Sequence, residues 1–307
     1  MNFRWRAWQF SILVGVACLL VLASVFWWRF RSIPEVGEMI AMLPAEGATL
    51  VYVDLKSLRT AGILDLLAGN QVAEDADYRG FVAATGFDYR TDLDKVAGAI
   101  RRKDSFFVLV GRFDWSSLKQ YTVNQGGKCL NGICEMPASD KGRWISFRPL
   151  RANLLALATA PYQRGAADIY LRKSPAPPDA PPQPVWVSFP QAVLTGAAVP
   201  ETSKLLSKAL GTARKVTFAA DRARDGGFEV TLVADCPSAP EAVQLKNQLA
   251  GLTQVFKGYS ASQAGKPNPG DLSAVLTSGS FEQRDSRVYG RWPVPRPFLE
   301  AVAGGNL

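Results

Sequence analysis

The chain has 307 residues, with 35 Lys and Arg against 27 Asp and Glu, and contains no histidine. Without an imidazole, Ser-His-Asp and Cys-His catalysis, His-ligated zinc and an imidazole general base are excluded. The net charge of +8 is uneven: residues 1–31 hold four Arg and no acid, which leaves 31 basic against 27 acidic groups, or +4, elsewhere. So mild an excess does not indicate a nucleic-acid partner.

Ala7 to Trp28 is a run of twenty-two residues without a charge. As a helix it would extend roughly 33 Å, enough to cross a bilayer. Trp5, Trp8, Trp27 and Trp28 lie at its ends, and Arg4, Arg6, Arg29 and Arg31 bracket it. The run exceeds the roughly 7–15 apolar residues of a cleaved signal. Residues 1–31 are therefore expected to form an uncleaved single-pass anchor in the inner membrane, in contact with lipid over residues 7–28. Ala7, Ser11 and Gly15, spaced four apart, would let two such helices pair as a homodimer.

A first folded unit is expected over residues 32–173. TLVYVDL reads as a strand and LRTAGILDLLA as a helix. In GFDYRTDLD, the carboxylates Asp88, Asp92 and Asp94 have the composition of a hard-cation site such as calcium. They fit a structural role better: Asp88 suits a turn, and Asp92 suits the N-cap of a helix burying Leu93, Val96, Ala97 and Ile100. SFFVLVGRF follows as a strand, and Asp114 caps a helix, WSSLKQY, that turns Trp115, Leu118 and Tyr121 inward. Ser116 and Lys119 match the S-x-x-K pattern of lysine-activated serine enzymes, but no K-T-G phrase follows and the pair falls on the solvated side.

KCLNGICE has Asn131-Gly132 at its centre, the preferred pair for a two-residue type I′ hairpin. That turn sets Cys129 opposite Cys134 within disulfide reach, which implies an oxidising compartment. Lys and Arg are balanced across the apolar run, so the cysteines decide its orientation: N-terminus inside, the rest extracytoplasmic. WISFRPL and LLALAT read as strands and YQRGAADIYL as helical.

Residues 174–184, SPAPPDAPPQP, hold six prolines in eleven positions and read as an extended linker. A second unit then spans 185–307. VWVSF is a strand and TSKLLSKALG a helix; Val216, Phe218 and Ala220 alternate with polar or small residues, as do Phe228, Val230 and Leu232 beyond an Asp225-Gly226 turn. Ser238 and Glu241 form a capping box before Ala242, Leu245, Leu249, Leu252 and Phe256, one apolar helix face. Strands around Asp285-Ser286 and a final helix, PFLEAVAG, complete the chain. Cys236 reads as a buried small apolar residue. Both halves run β, α, β, β, α, β, which predicts an α+β chain: a transmembrane helix followed by two ferredoxin-like (split βαβ) units with antiparallel sheets.

LPAEGATLVYVDLKSL, ATGFDYRTDLDKV, VGRFDWSSLK and GRWPVPRPFLEAVAG resemble the phrases of a group of uncharacterised, single-pass membrane-anchored bacterial proteins with domains of unknown function. The resemblance implies an envelope location and supplies no catalytic residue. No cofactor, metal site or nucleotide loop is indicated. The expected function is non-catalytic binding or scaffolding of an unknown protein or envelope partner. The other class is a His-independent hydrolase using Lys119 or the Asp88, Asp92 and Asp94 carboxylates.

Overall fold

In the computed structural model, twelve strands hydrogen-bond into one sheet that runs through both halves of the chain. Residues 33–64, 76–170, 180–195, 204–223, 227–262, 275 and 277–298 are described. The first half contributes α1 (Val36–Ala41), β1 (Thr49–Asp54), α2 (Leu55–Thr60), α3 (Ala76–Thr85), α4 (Tyr89–Asp92), β2 (Leu93–Ile100), β3 (Ser105–Gly111), α5 (Trp115–Asn124), β4 (Lys128–Leu130), β5 (Ile133–Pro137), β6 (Trp144–Arg151) and β7 (Leu154–Ala160), then a 3₁₀ turn at Gly165–Asp168. The second contributes β8 (Val185–Pro190), α6 (Gln191–Leu194), α7 (Lys204–Leu210), β9 (Lys215–Arg222), β10 (Phe228–Asp235), α8 (Ala239–Ser262), β11 (Ser280–Arg284) and β12 (Arg287–Val294).

The strand order is β11-β12-β10-β9-β8-β1-β2-β3-β7-β6-β5-β4. Every pairing is antiparallel. This corrects the expected pair of ferredoxin-like units, because a split βαβ unit needs a parallel pair. The β, α, β, β, α, β order recurs in both halves, but the last strand of each pairs with the third and does not insert beside the first. The two first strands, β1 and β8, then pair with one another, and the halves share a single sheet.

The location also needs correction. Among the described residues no helix is long and apolar enough to cross a membrane, so the single-pass inner-membrane reading is not retained. Even α8, with 24 residues, carries Glu241, Lys246 and Lys257. Residues 7–28, with Ala7, Ser11 and Gly15, lie outside the described residues.

A third correction concerns Leu93–Ile100, which is a strand and not a helix capped by Asp92. It lies between β1 and β3 and hydrogen-bonds to both, so tertiary pairing overrides its accidental three-and-four spacing. Gly98 has no room for a side chain: a Cβ there would sit 2.8 Å from both Phe107 Cδ1 and Val51 Cγ2. The basic residues Arg101, Arg102 and Lys103 therefore connect two strands, β2 and β3. Among the described residues of YQRGAADIYL, only Gly165–Asp168 is helical, as 3₁₀.

Two cores form on opposite faces of the sheet. On one face α1 packs Met39 and Ile40 against Tyr52, Ala97, Phe106 and Val108. On the other, α2 sets Leu55 and Leu58 against Val53, Val96 and Val185, and α8 buries Ala242, Leu245 and Leu249 against Val216 and Leu232. Ser238 caps α8 and engages Glu241: Glu241 N donates to Ser238 Oγ at 3.4 Å, and Ser238 Oγ donates to Glu241 Oε2 at 2.9 Å. Cys236 is buried, and burial pushes its thiol pKa up.

The repeated order and repeated pairings place an approximate two-fold axis at the β1–β8 seam. Tyr52 lies opposite Trp186 there, with rings stacked at 5.9 Å. Outward from that pair the same rows recur: Ala97, Val108 and Ala156 on one side correspond to Ala219, Thr231 and Arg291 on the other.

Candidate functional site

A cavity of about 320 Å³ lies between the outer strands of the first half and the helices α3 and α5. Its floor is Leu109 of β3, Leu155 and Leu157 of β7, Ile145 and Phe147 of β6, and Met136 of β5. These point to one face because a strand's side chains alternate, and their cross-strand pairs align them: Leu109 with Leu155, Leu157 with Phe147, Ile145 with Met136. Phe81, Phe87, Phe113, Leu118 and Tyr121 close the other side.

The roof is built by two copies of one local device. Phe87-Asp88 and Phe113-Asp114 are each a phenylalanine before an N-cap aspartate. Asp88 caps α4 by accepting from Arg90 N at 2.9 Å, and Asp114 caps α5 by accepting from Ser116 N at 2.9 Å. An apolar residue just before the cap turns back over the chain it introduces. Here both rings turn to the cavity and stack on each other, 5.5 Å apart at 13°. Phe81 meets Tyr121 edge-on at 5.2 Å and 86°.

The two turns are also hydrogen-bonded together. Arg112 N donates to Asp92 O at 2.8 Å, and Arg112 Nη2 to Asp92 Oδ1 at 2.7 Å. Gly111 permits this approach, since a Cβ would lie 2.4 Å from Asp92 O. Gly86, at φ +69°, ends α3 and aims the chain at Phe87. Tyr78 hydroxyl donates to Asp88 Oδ1 at 2.8 Å, and Arg90 Nη2 to Asp88 Oδ2 at 2.9 Å. The Arg90 guanidinium holds the Asp88 carboxyl down at about 2, and burial, with Asp88 second, pushes the Tyr78 phenol up to about 12.

Each carboxylate of GFDYRTDLD has its own arginine: Asp88 has Arg90, Asp92 has Arg112, and Asp94 has Arg59 at 3.5 Å. Among the described residues no group of three or more Cys, Asp or Glu is placed to hold a metal ion. Ser116 and Lys119 are both exposed on α5, on the side away from Leu118. Ser117, between them, donates its hydroxyl to Asp114.

The cysteine hairpin is the adjoining edge of the sheet and reaches the cavity through Met136 of β5. Cys129 and Cys134 are disulfide-bonded, their Cα atoms 4.0 Å apart, and Asn131 and Gly132 take φ +52° and +75°, as a type I′ turn requires. Both cysteines pack in the cluster containing Leu118, Phe147 and Leu155. Leu118 and Tyr121 were read from the sequence as inward-facing, whereas Phe81, Phe87, Phe113 and the leucine floor were not singled out. The one local signal was the repeated Phe-Asp, within phrases read for their carboxylates.

At the corresponding place in the second half, among the described residues, a tryptophan stands on the sheet. Leu157 corresponds to Trp292 and Leu155 to Gly290, one residue along from the matched Ala156 and Arg291. The Trp292 indole lies over Gly290, where a Cβ would be 3.0 Å from the ring, and meets Phe281 edge-on at 5.3 Å. On the opposite face β9, β10 and β12 carry a charged surface in which Arg287 and Lys215 both pair with Asp235 and Arg291 pairs with Glu229.

No protein-family model and no curated protein matches the chain. Among solved structures, crystal form I of TP0453, a Treponema envelope protein, aligns at 11% identity with a TM-score of 0.48, covering 89% of this chain and 97% of that one. Crystal form III of the same protein aligns at 11% identity and 0.45, with the same coverage. Both scores fall short of showing a shared fold.

Proposed function

We propose that the protein is a non-catalytic binding protein that takes an apolar ligand in the cavity between β3, β5, β6, β7 and the helices α3 and α5. One observation carries the reading: an aromatic-walled hollow of about 320 Å³ where the other half of the same sheet carries an indole. The volume is at the small end of ligand sites, and an apolar lining with few polar groups is their usual character. No carboxylate, amine or thiol stands among the lining residues, so the reading is binding and not turnover. The disulfide supports an oxidising compartment for it.

The test is fluorescence titration with N-phenyl-1-naphthylamine, a neutral dye that brightens in apolar surroundings. Saturable binding at one site is expected, abolished by Leu157→Trp, which copies Trp292 of the other half. Leu109→Phe fills the space from β3 and gives the same result independently, with circular dichroism checking that both variants fold. A dye that does not bind, or binds both filled variants as well as the parent, overturns the reading.

A further inference from the structure

Resting on that reading, we propose that the ligand is an amphiphile whose single unbranched hydrocarbon chain occupies the cavity to a depth of about ten carbons while its polar head stays at the mouth. The length follows from the volume. A methylene fills about the same space as a water molecule in the liquid, about 30 Å³, so 320 Å³ takes about ten of them.

Shape favours a chain over a compact ring. The floor residues come from four neighbouring strands, β3, β7, β6 and β5. At about 4.8 Å per strand that trough runs roughly 14 Å across the sheet, comparable to an extended chain of that many carbons. Rings standing over it, Phe81 and Tyr121 edge-on and Phe87 and Phe113 stacked, narrow it from above.

The lining decides which end enters. Its side chains are hydrocarbon except for the Met136 thioether and the Tyr121 hydroxyl, and none is charged. A carboxylate or phosphate drawn inside would lose its water and find no cation, which burial penalises heavily. The cavity therefore selects for what a methylene chain offers and is indifferent to the head that carries it.

The experiment is calorimetric titration of the full chain with straight-chain fatty acids of about six to about sixteen carbons, each kept monomeric, and with their methyl esters. Affinity is expected to rise about fourfold per methylene up to about ten carbons and to level off beyond. Ester and acid of equal length should agree within about threefold, and Leu157→Trp should remove the response. If the neutral dye binds and the filled variants expel it, but acid affinity does not depend on chain length, the chain assignment falls and the cavity reading stands. If acids bind tenfold or more tightly than their esters, the head is inside and the assignment also falls. If neither dye nor acid binds, both readings fall together.

Discussion

Asp88 concentrates the local chemistry of the roof. Its carboxyl is held at about 2 by Arg90, well below the about 3.9 of an unfolded aspartate. A folded-state pKa that is depressed contributes stability fully above the unfolded value, and that contribution is lost as pH falls through the folded one. Asp88→Asn should therefore destabilise the protein at neutral pH yet lose less on acidification from about pH 4 to about pH 2, as chemical denaturation at each pH would record. Gly98 is a second point of decision, where Gly98→Ala would force Phe107 or Val51 aside and lower stability by about 1–3 kcal/mol in urea melts. The Asp114 cap and the Ser238 box were legible because a cap is a contact within three residues, decided by the chain's own neighbours. The Arg112 bond to Asp92 was not, since twenty residues separate the partners.

The cysteine hairpin shows how an element's turn chemistry and its role separate. Asn131-Gly132 and the facing cysteines dictate the hairpin, and it forms as read. Its disulfide closes only a six-residue loop, so Cys129→Ala with Cys134→Ala should cost only about 2 kcal/mol by the loop-entropy estimate. That modest figure matters because the hairpin is the sheet's edge and supplies Met136 to the cavity lining: dye binding in the double variant should weaken by more than overall stability suggests, a comparison of titration with thermal melting. The α8 helix makes the opposite case, with its buried face readable residue by residue. Leu245→Ala should cost about 2–5 kcal/mol in denaturant unfolding. Phe256, on the same periodic stripe, is 40% exposed, because a 24-residue helix reaches past the sheet that the stripe is meant to cover. Leu93–Ile100 failed for the reverse reason: its spacing suits a helix, and only two neighbouring strands make it extended.

At the scale of the molecule the seam between β1 and β8 joins what the Pro-rich segment separates in sequence. Trp186 is 4% exposed and stacks on Tyr52 across that seam, so Trp186→Ala should cost about 3–5 kcal/mol. Because both halves share the sheet, the loss should appear as one transition shifted downward in calorimetry and not as the early melting of half the chain. Alternation, caps, turns and the missing histidine were settled along the chain, since each depends on residues a few positions apart or on composition alone. They were enough for eleven of the twelve strands' neighbourhoods to be recognisable as strand or turn, with Leu93–Ile100 the exception. Strand order, the joining of two halves into one sheet and the hollow beside α5 were settled only in three dimensions. Antiparallel and split-βαβ arrangements can be made from the same order of elements, and the choice rests on which edges meet. The cavity rests on a comparison that no local window contains: Leu157 and Trp292 stand 135 positions apart and occupy equivalent places in one sheet, a leucine flooring the hollow in one half and an indole standing there in the other.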